Sequence, residues 1–254
     1  MTTHTANYLN AIAHLPAGGT LILSDVPWSE YEQLLADLGE GYAVRVSYDH
    51  GRLEIVTPSS KHEKYKELIL RLADTAADEL GCELESFGST TFKLEQLAKG
   101  VEPDTCFYVQ HAASVTGKDR IDLRTDPPPD VVVEIDVVQK SMRKFAIYAS
   151  LGVPELWRYD GRRLHVYHLT EQGYVEAPAS RALAALTGEV LSRFLERGKT
   201  DSQRAVLKSF REWLRSQRRQ LDLPSSLSIG AIRRVMPALL DQVFLLFPAI
   251  LPVT

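Results

Sequence analysis

Cysteine is nearly absent: Cys82 and Cys106 are the only two in 254 residues. Two thiols cannot build a disulfide framework, and no CxxC or Cys/His spacing suggests zinc. The N-terminus, MTTHTANYLN, lacks a basic segment followed by an apolar run. A secretory leader is therefore not expected, and the chain reads as cytoplasmic. No internal repeat is found. A long uninterrupted hydrophobic run is also missing. The nearest approach, 236–254, carries Pro237, Asp241, Pro248 and Pro252. A membrane span needs about 20 apolar residues, and these breaks oppose one. The segment reads as a docking or disordered tail, with no stable membrane association. Nor is there a basic excess. The formal charge is −4, at first sight an argument against a nucleic-acid partner.

What is present is an ordinary globular composition, 44% hydrophobic and 24% charged. The length suits one large or two small domains with a sizeable core. The charge is unevenly spread. Residues 1–180 hold 17 Lys and Arg against 27 Asp and Glu, whereas 181–220 hold 10 against 4. The basic stretch reads either as a solvated helix face or as a patch for phosphates or an acidic partner.

Hydrophobic spacing divides the chain further. Residues 1–40 read as a polar lead and a short helix carrying Tyr31, Leu34, Leu35 and Leu38. Runs 42–48 and 52–57 flank Asp49-His50-Gly51, which favours a tight hairpin. Ser59 and Ser60 supply caps for a helix over 61–80, whose stripe is Tyr65, Leu68, Ile69, Leu72, Ala76 and Leu80, with Gly81 as its stop. Strand-like runs come next at 83–87, 90–94 and 105–109. The β-branched run 131–138 reads as a strand covered on both faces. Residues 140–151 are helical up to Gly152, and 154–159 with 164–169 form a hairpin across Asp160-Gly161. Basic helices are expected at 182–196 and 202–220. The sum is a mixed α/β core over 41–180, a basic helical region over 181–220 and an apolar tail over 221–254.

One residue breaks the pattern of its strand. Glu134 sits inside 131–138, where an unpaired buried carboxylate costs several kcal/mol. It must be paired, protonated or bound to a cation. Lys144 is the candidate for a salt bridge, and a divalent metal is the functional alternative. Asp136 lies on the same face, because side chains alternate along a strand. Asp104 opens the run 105–109 after Pro103, which alone means little. Together, two carboxylates on neighbouring strands and a lysine could hold Mg²⁺ and a phosphate.

That pattern, Pro103-Asp104 and then Glu134 after a gap of 29 residues, resembles the PD-(D/E)XK nucleases. Longer stretches resemble the Uma-two family of bacterial restriction-endonuclease-like proteins. They are Arg52-Leu53-Glu54-Ile55, Ser60-Lys61-His62-Glu63, Gly100-Val101-Glu102-Pro103-Asp104, Pro129-Asp130-Val131-Val132-Val133-Glu134-Ile135, and Lys144-Phe145-Ala146-Ile147-Tyr148 with Gly152-Val153-Pro154-Glu155-Leu156-Trp157. The likeness spans roughly 20–215 and keeps the family's motif order. It implies a restriction-endonuclease-like core, a mixed sheet flanked by helices with a metal at its edge. The implied activity is Mg²⁺-dependent hydrolysis of DNA, with Mn²⁺ as a substitute. Asp104 and Glu134 would hold the metal. The motif's lysine belongs at 136, where this chain has Asp136, so Lys144 is the substitute. Asp136 is then a third ligand or a neighbour. Val138-Gln139-Lys140-Ser141 lacks the expected Ser/Thr-Pro-Ser character. His62 and Glu63 would support the site, although His62 shares the apolar stripe and Glu63 also suits a helix N-terminus. Tyr148, Trp28 and Trp157 read as packing. Arg204, Lys208, Arg211, Arg215 and Arg218 would contact nucleic acid, and Trp213 either stacks on a base or anchors its helix. Double-strand cleavage would favour a homodimer. The alternative is an inactive nuclease-fold module that binds DNA or a protein through the basic helices.

Overall fold

The computed structural model describes residues 3–39, 44–137 and 143–221. The tail beyond 221, the stretch Val138-Gln139-Lys140-Ser141 and the side chain of Arg218 lie outside the described residues. Where the sequence predicts only a polar lead, the chain forms helix α1 (Thr3–Ala13) and strand β1 (Thr20–Leu23) before helix α2 (Trp28–Leu38). Strands β2 (Arg45–Asp49) and β3 (Arg52–Val56) make the expected hairpin. Its two loop residues, His50 and Gly51, have φ of 48° and 87°. Two successive positive values define the turn whose twist matches paired strands, and Gly51 supplies one without steric cost.

Alternation along this hairpin sorts its side chains into an apolar face and a polar one. Val46, Tyr48, Leu53 and Ile55 point to one face and are buried against α1 and α2 with Tyr31 and Leu34. Arg45, Ser47, Asp49, Arg52 and Glu54 therefore point to the other face. Strands β5 (Phe92–Leu94) and β6 (Lys99–Val101) complete a five-stranded sheet in the order β1-β3-β2-β6-β5, with antiparallel pairing throughout.

Helix α3 (Ser60–Leu80) starts where Ser59 accepts a hydrogen bond from the His62 backbone N–H at 3.4 Å. It ends at Gly81, whose φ of 73° is the left-handed stop expected of glycine. Its stripe packs on a second sheet of order β11-β10-β9-β8-β7-β4. These strands are β4 (Glu85–Gly88), β7 (Thr105–Tyr108), β8 (Val131–Ile135), β9 (Glu155–Tyr159), β10 (Leu164–Thr170) and β11 (Gly173–Ala177). All pairs are antiparallel except β8 with β9, which are parallel. That parallel step needs a crossover, and after the four-residue helix α4 (Ala112–Val115) the crossover is helix α5 (Lys144–Ser150).

Every residue of β8 is buried, which bears out a strand covered on both faces. Val131, Val133 and Ile135 join the α3 side, whereas Val132 clusters with Ile147 and Tyr148 of α5 and with Leu151 just after it. Burying each such side chain contributes about 1.5–3 kcal/mol, which fixes the strand between its two layers. Helices α6 (Gly188–Arg197) and α7 (Gln203–Leu221) close the α3 side. The expected helix at 182–196 starts later, because Thr187 caps α6 by accepting from Val190 N–H at 3.1 Å. The preceding segment is held by Glu155, which accepts from the Arg181 backbone N–H at 2.6 Å. Among the described residues no helix is long and apolar enough to cross a membrane.

Candidate active site

Asp104 stands where the chain passes from one sheet to the other, between β6 and β7. The β7–β8 pairing sets Thr105 opposite Val133, so one more step brings Asp104 opposite Glu134. There the ladder is continued by a side chain: Asp104 Oδ2 accepts the Ile135 backbone N–H at 2.7 Å. Glu134 points with Val132 toward α5, by the two-residue period of the strand. The two carboxylates are 6% and 2% exposed.

The crossover helix supplies the counter-charge. Lys144 Nζ, in the first turn of α5, lies 3.1 and 3.0 Å from the two oxygens of Glu134 and 3.3 Å from the Glu102 carbonyl oxygen. One turn later the Tyr148 hydroxyl donates to Glu134 Oε1, so Tyr148 is both packed and polar-engaged. Burial pushes the Glu134 carboxyl up to about 7; Asp104 adds to this, while Lys144 and Tyr148 oppose it. For Lys144, burial lowers the pKa, but the charges of Glu134 and Asp104 outweigh it and leave the ammonium raised. Burial likewise raises Glu102, although its carboxylate accepts from Thr91 Oγ1 at 2.6 Å and from Val46 N–H at 2.9 Å.

Asp104, Glu134, Asp136, Lys144 and His62 all border one cavity of about 30 Å³. Asp136 is ion-paired with Arg158. His62 is buried, with Nδ1 3.3 Å from Ser59 Oγ. Glu63 is bound to Lys66 and reaches Arg45 at 3.4 Å, and it does not border the cavity. Two further lining residues, Arg45 and Glu54, come from the polar face of the β2–β3 hairpin. Their alternation with Val46, Leu53 and Ile55 was the available signal. It reads as a solvated face until the second sheet is set opposite. A larger cavity of about 260 Å³ adjoins this one, sharing Glu54 and Lys144 and adding Arg52 and Arg143.

The basic helices lie elsewhere. Arg211 contacts Asp78 and Glu79, and Arg215 makes a paired contact with Glu79, all on α3. Neither they nor Arg204 and Lys208 line either cavity. Trp213 packs on Phe194 and Phe210, with the Arg193 guanidinium 5.4 Å from its ring centre, and so anchors α7.

A family model named Uma2, described as "Putative restriction endonuclease", matches residues 28–197. The chain belongs to the Uma2 family. Among solved structures it is similar to a crystallised protein described as a putative nuclease belonging to DUF820 from Anabaena variabilis ATCC 29413. That pair shares 15% identity with a TM-score of 0.41, covering 58% of this chain and 89% of the other. No curated protein matches the chain. Within this Uma2 chain, no three His, Cys, Asp or Glu side chains among the described residues form a metal cage. A cage is not required: Mg²⁺ takes one or two carboxylates and fills its octahedron with waters and phosphate oxygens. The opposed Asp104 and Glu134 fit that requirement. Among the described residues, Asp104 Oδ1 accepts no hydrogen bond, and its nearest cation is Arg45 Nε at 3.9 Å.

Proposed function

We propose that this Uma2 chain is a Mg²⁺-dependent endonuclease that hydrolyses DNA phosphodiester bonds, with Mn²⁺ able to substitute. The observation that carries the reading is the meeting of Asp104 and Glu134 on adjacent strands, with Lys144 on Glu134 and a cavity in front of them. Asp104 and Glu134 would hold the metal. Once bound, the metal would supply Lewis acidity toward a phosphate oxygen and a water of lowered pKa. Lys144 orients water and phosphate, and its raised pKa keeps it cationic through neutral pH. Tyr148 fixes the Glu134 rotamer through its hydroxyl. Asp136, already bound to Arg158, shapes the wall and is not assigned to the metal. His62 and Glu63 act as supports. One site per chain suits double-strand cleavage by a homodimer, in a cytoplasmic setting. The test is nicking of supercoiled plasmid by purified protein with Mg²⁺ or Mn²⁺. Cleavage by the wild type and none by a folded Glu134→Ala is expected. No cleavage of any DNA form by either protein overturns the reading.

One observation favours an inactive nuclease-fold module instead: both Glu134 oxygens are already bound by Lys144. On that reading a calorimetric titration finds no divalent binding while DNA binding persists. Arg211 and Arg215 are engaged with α3, so the contacts would fall to Arg204 and Lys208.

A further inference from the structure

Arg45 is held in place by everything except its own Nε. The side chain is 10% exposed. Its Nη1 donates to the Val44 carbonyl at 3.1 Å, and its Nη2 donates to Glu63 Oε1 at 3.4 Å. Nε is buried with no hydrogen-bond partner among the described residues. Asp104 Oδ1, at 3.9 Å, is too far to accept. Buried polar groups are ordinarily paired, so the unpartnered Nε of a fixed guanidinium at a cavity wall calls for an acceptor. Among the described residues, the other Lys or Arg lining this cavity is Lys144. It donates to both Glu134 oxygens and to the Glu102 carbonyl.

We propose that Arg45 contacts the phosphate to be cleaved, donating Nε–H to a non-bridging oxygen from the wall of the cavity that Lys144 also lines. This rests on the nuclease reading and adds to it a residue outside the Asp–Glu–Lys set. The ligand class is set by the donor. A guanidinium edge suits the tetrahedral oxyanion of a phosphodiester, and its delocalised charge is desolvated more readily than an ammonium. The hairpin supplies rigidity: Arg45 pairs with Val56 in register, and the neighbouring Val46 is locked in the core.

A purely structural Arg45, tying Glu63 and Asp104 together, predicts a different response. The first measurement is binding of a fluorescent DNA duplex without divalent metal, over a range of salt, with melting temperature as the check on folding. Loss of one phosphate contact in Arg45→Gln should make the slope of log K against log salt shallower by about 0.9. The second variant, Arg45→Lys, keeps the charge and loses the Nε donor. Its salt slope should stay that of the wild type, while kcat for Mg²⁺-supported cleavage falls on the order of 10²-fold with KM little changed. An unchanged slope in a folded Arg45→Gln overturns the proposal, as does wild-type kcat in Arg45→Lys. If Arg45→Gln does not fold, Arg45→Lys decides alone. Wild-type protein that neither binds nor cuts DNA removes the nuclease reading and this assignment together. Wild-type protein that does both, with variants equal to it, removes only Arg45.

Discussion

Replacing Lys144 by Met removes an ammonium 3.0 Å from a carboxyl that is 2% exposed. Burial already lifts Glu134 from the ordinary 4.5 to about 7. The folded protein therefore holds that proton more tightly than the unfolded chain does. Stability falls as pH rises from 4.5 to about 7, then runs level with respect to this group. Lys144 is the largest influence opposing the upward shift, so without it the folded pKa moves higher and the falling stretch extends. At pH 6 the carboxyl is largely protonated in both proteins, and Met fills the space of the lysine stem. The difference there should stay within about 1 kcal/mol. Above pH 7 only the variant must keep its carboxyl protonated or bury a lone charge. The gap should widen by roughly 1.4 kcal/mol per pH unit, reaching roughly 3 kcal/mol at pH 9. Urea unfolding at pH 6, 7, 8 and 9, followed by tryptophan fluorescence, reads this directly. The double variant Glu134→Gln/Lys144→Met should lose the pH dependence. A gap that is constant with pH, or widest at pH 6, refutes the assignment of the buried charge to Glu134.

Cleavage should need the ionised form of Glu134, so its rate should fall as pH drops through about 7; because metal and proton compete for one carboxylate, the acid limb should move to lower pH as Mg²⁺ rises. A limb that ignores metal concentration would count against Glu134 as a ligand. Tyr148→Phe removes one donor to Glu134, and should cost about 1 kcal/mol in thermal unfolding while shifting the acid limb to higher pH. Gly100→Ala would drive a Cβ into the Tyr31 hydroxyl. Calorimetry should find it destabilised by about 1–3 kcal/mol, the usual range for overpacking, and a wild-type melting temperature would show that Tyr31 can swing away.

Much of the fold was legible because local rules agreed with tertiary demands. Helix α3 carried an apolar stripe, a serine cap and a glycine stop, and each has its expected role. The β-branched run 131–138 could satisfy its side chains only between two layers, and the described part of it, β8, lies there. Strands β6 and β11 were not legible. The first has three residues, Lys99, Gly100 and Val101, and the second is an edge strand with Val175 half exposed. Neither has a pattern of its own, and partner strands impose both. At the site, Glu134 announced itself as a charge among valines, and Lys144 was nameable as its partner. Arg45 gave no such sign, and Glu54 stood only within a family-like stretch, since a charge alternating with apolar residues in a short hairpin reads as facing water.

Sequence alone thus determined the acidic pair, the buried strand and the helix lysine, because each either violates or completes a pattern within a few residues. Only the tertiary structure showed where part of the basic charge is paired. The basic residues of α7 read either as a solvated face or as a surface for phosphates or an acidic partner, and Arg211 and Arg215 meet Asp78 and Glu79 at the end of α3, more than 130 residues earlier in the chain. Opposite charges far apart in sequence cancel once helices pack, and a lone Arg45 gains significance once a second sheet faces it. Both effects depend on distance in space, which net charge and spacing do not contain.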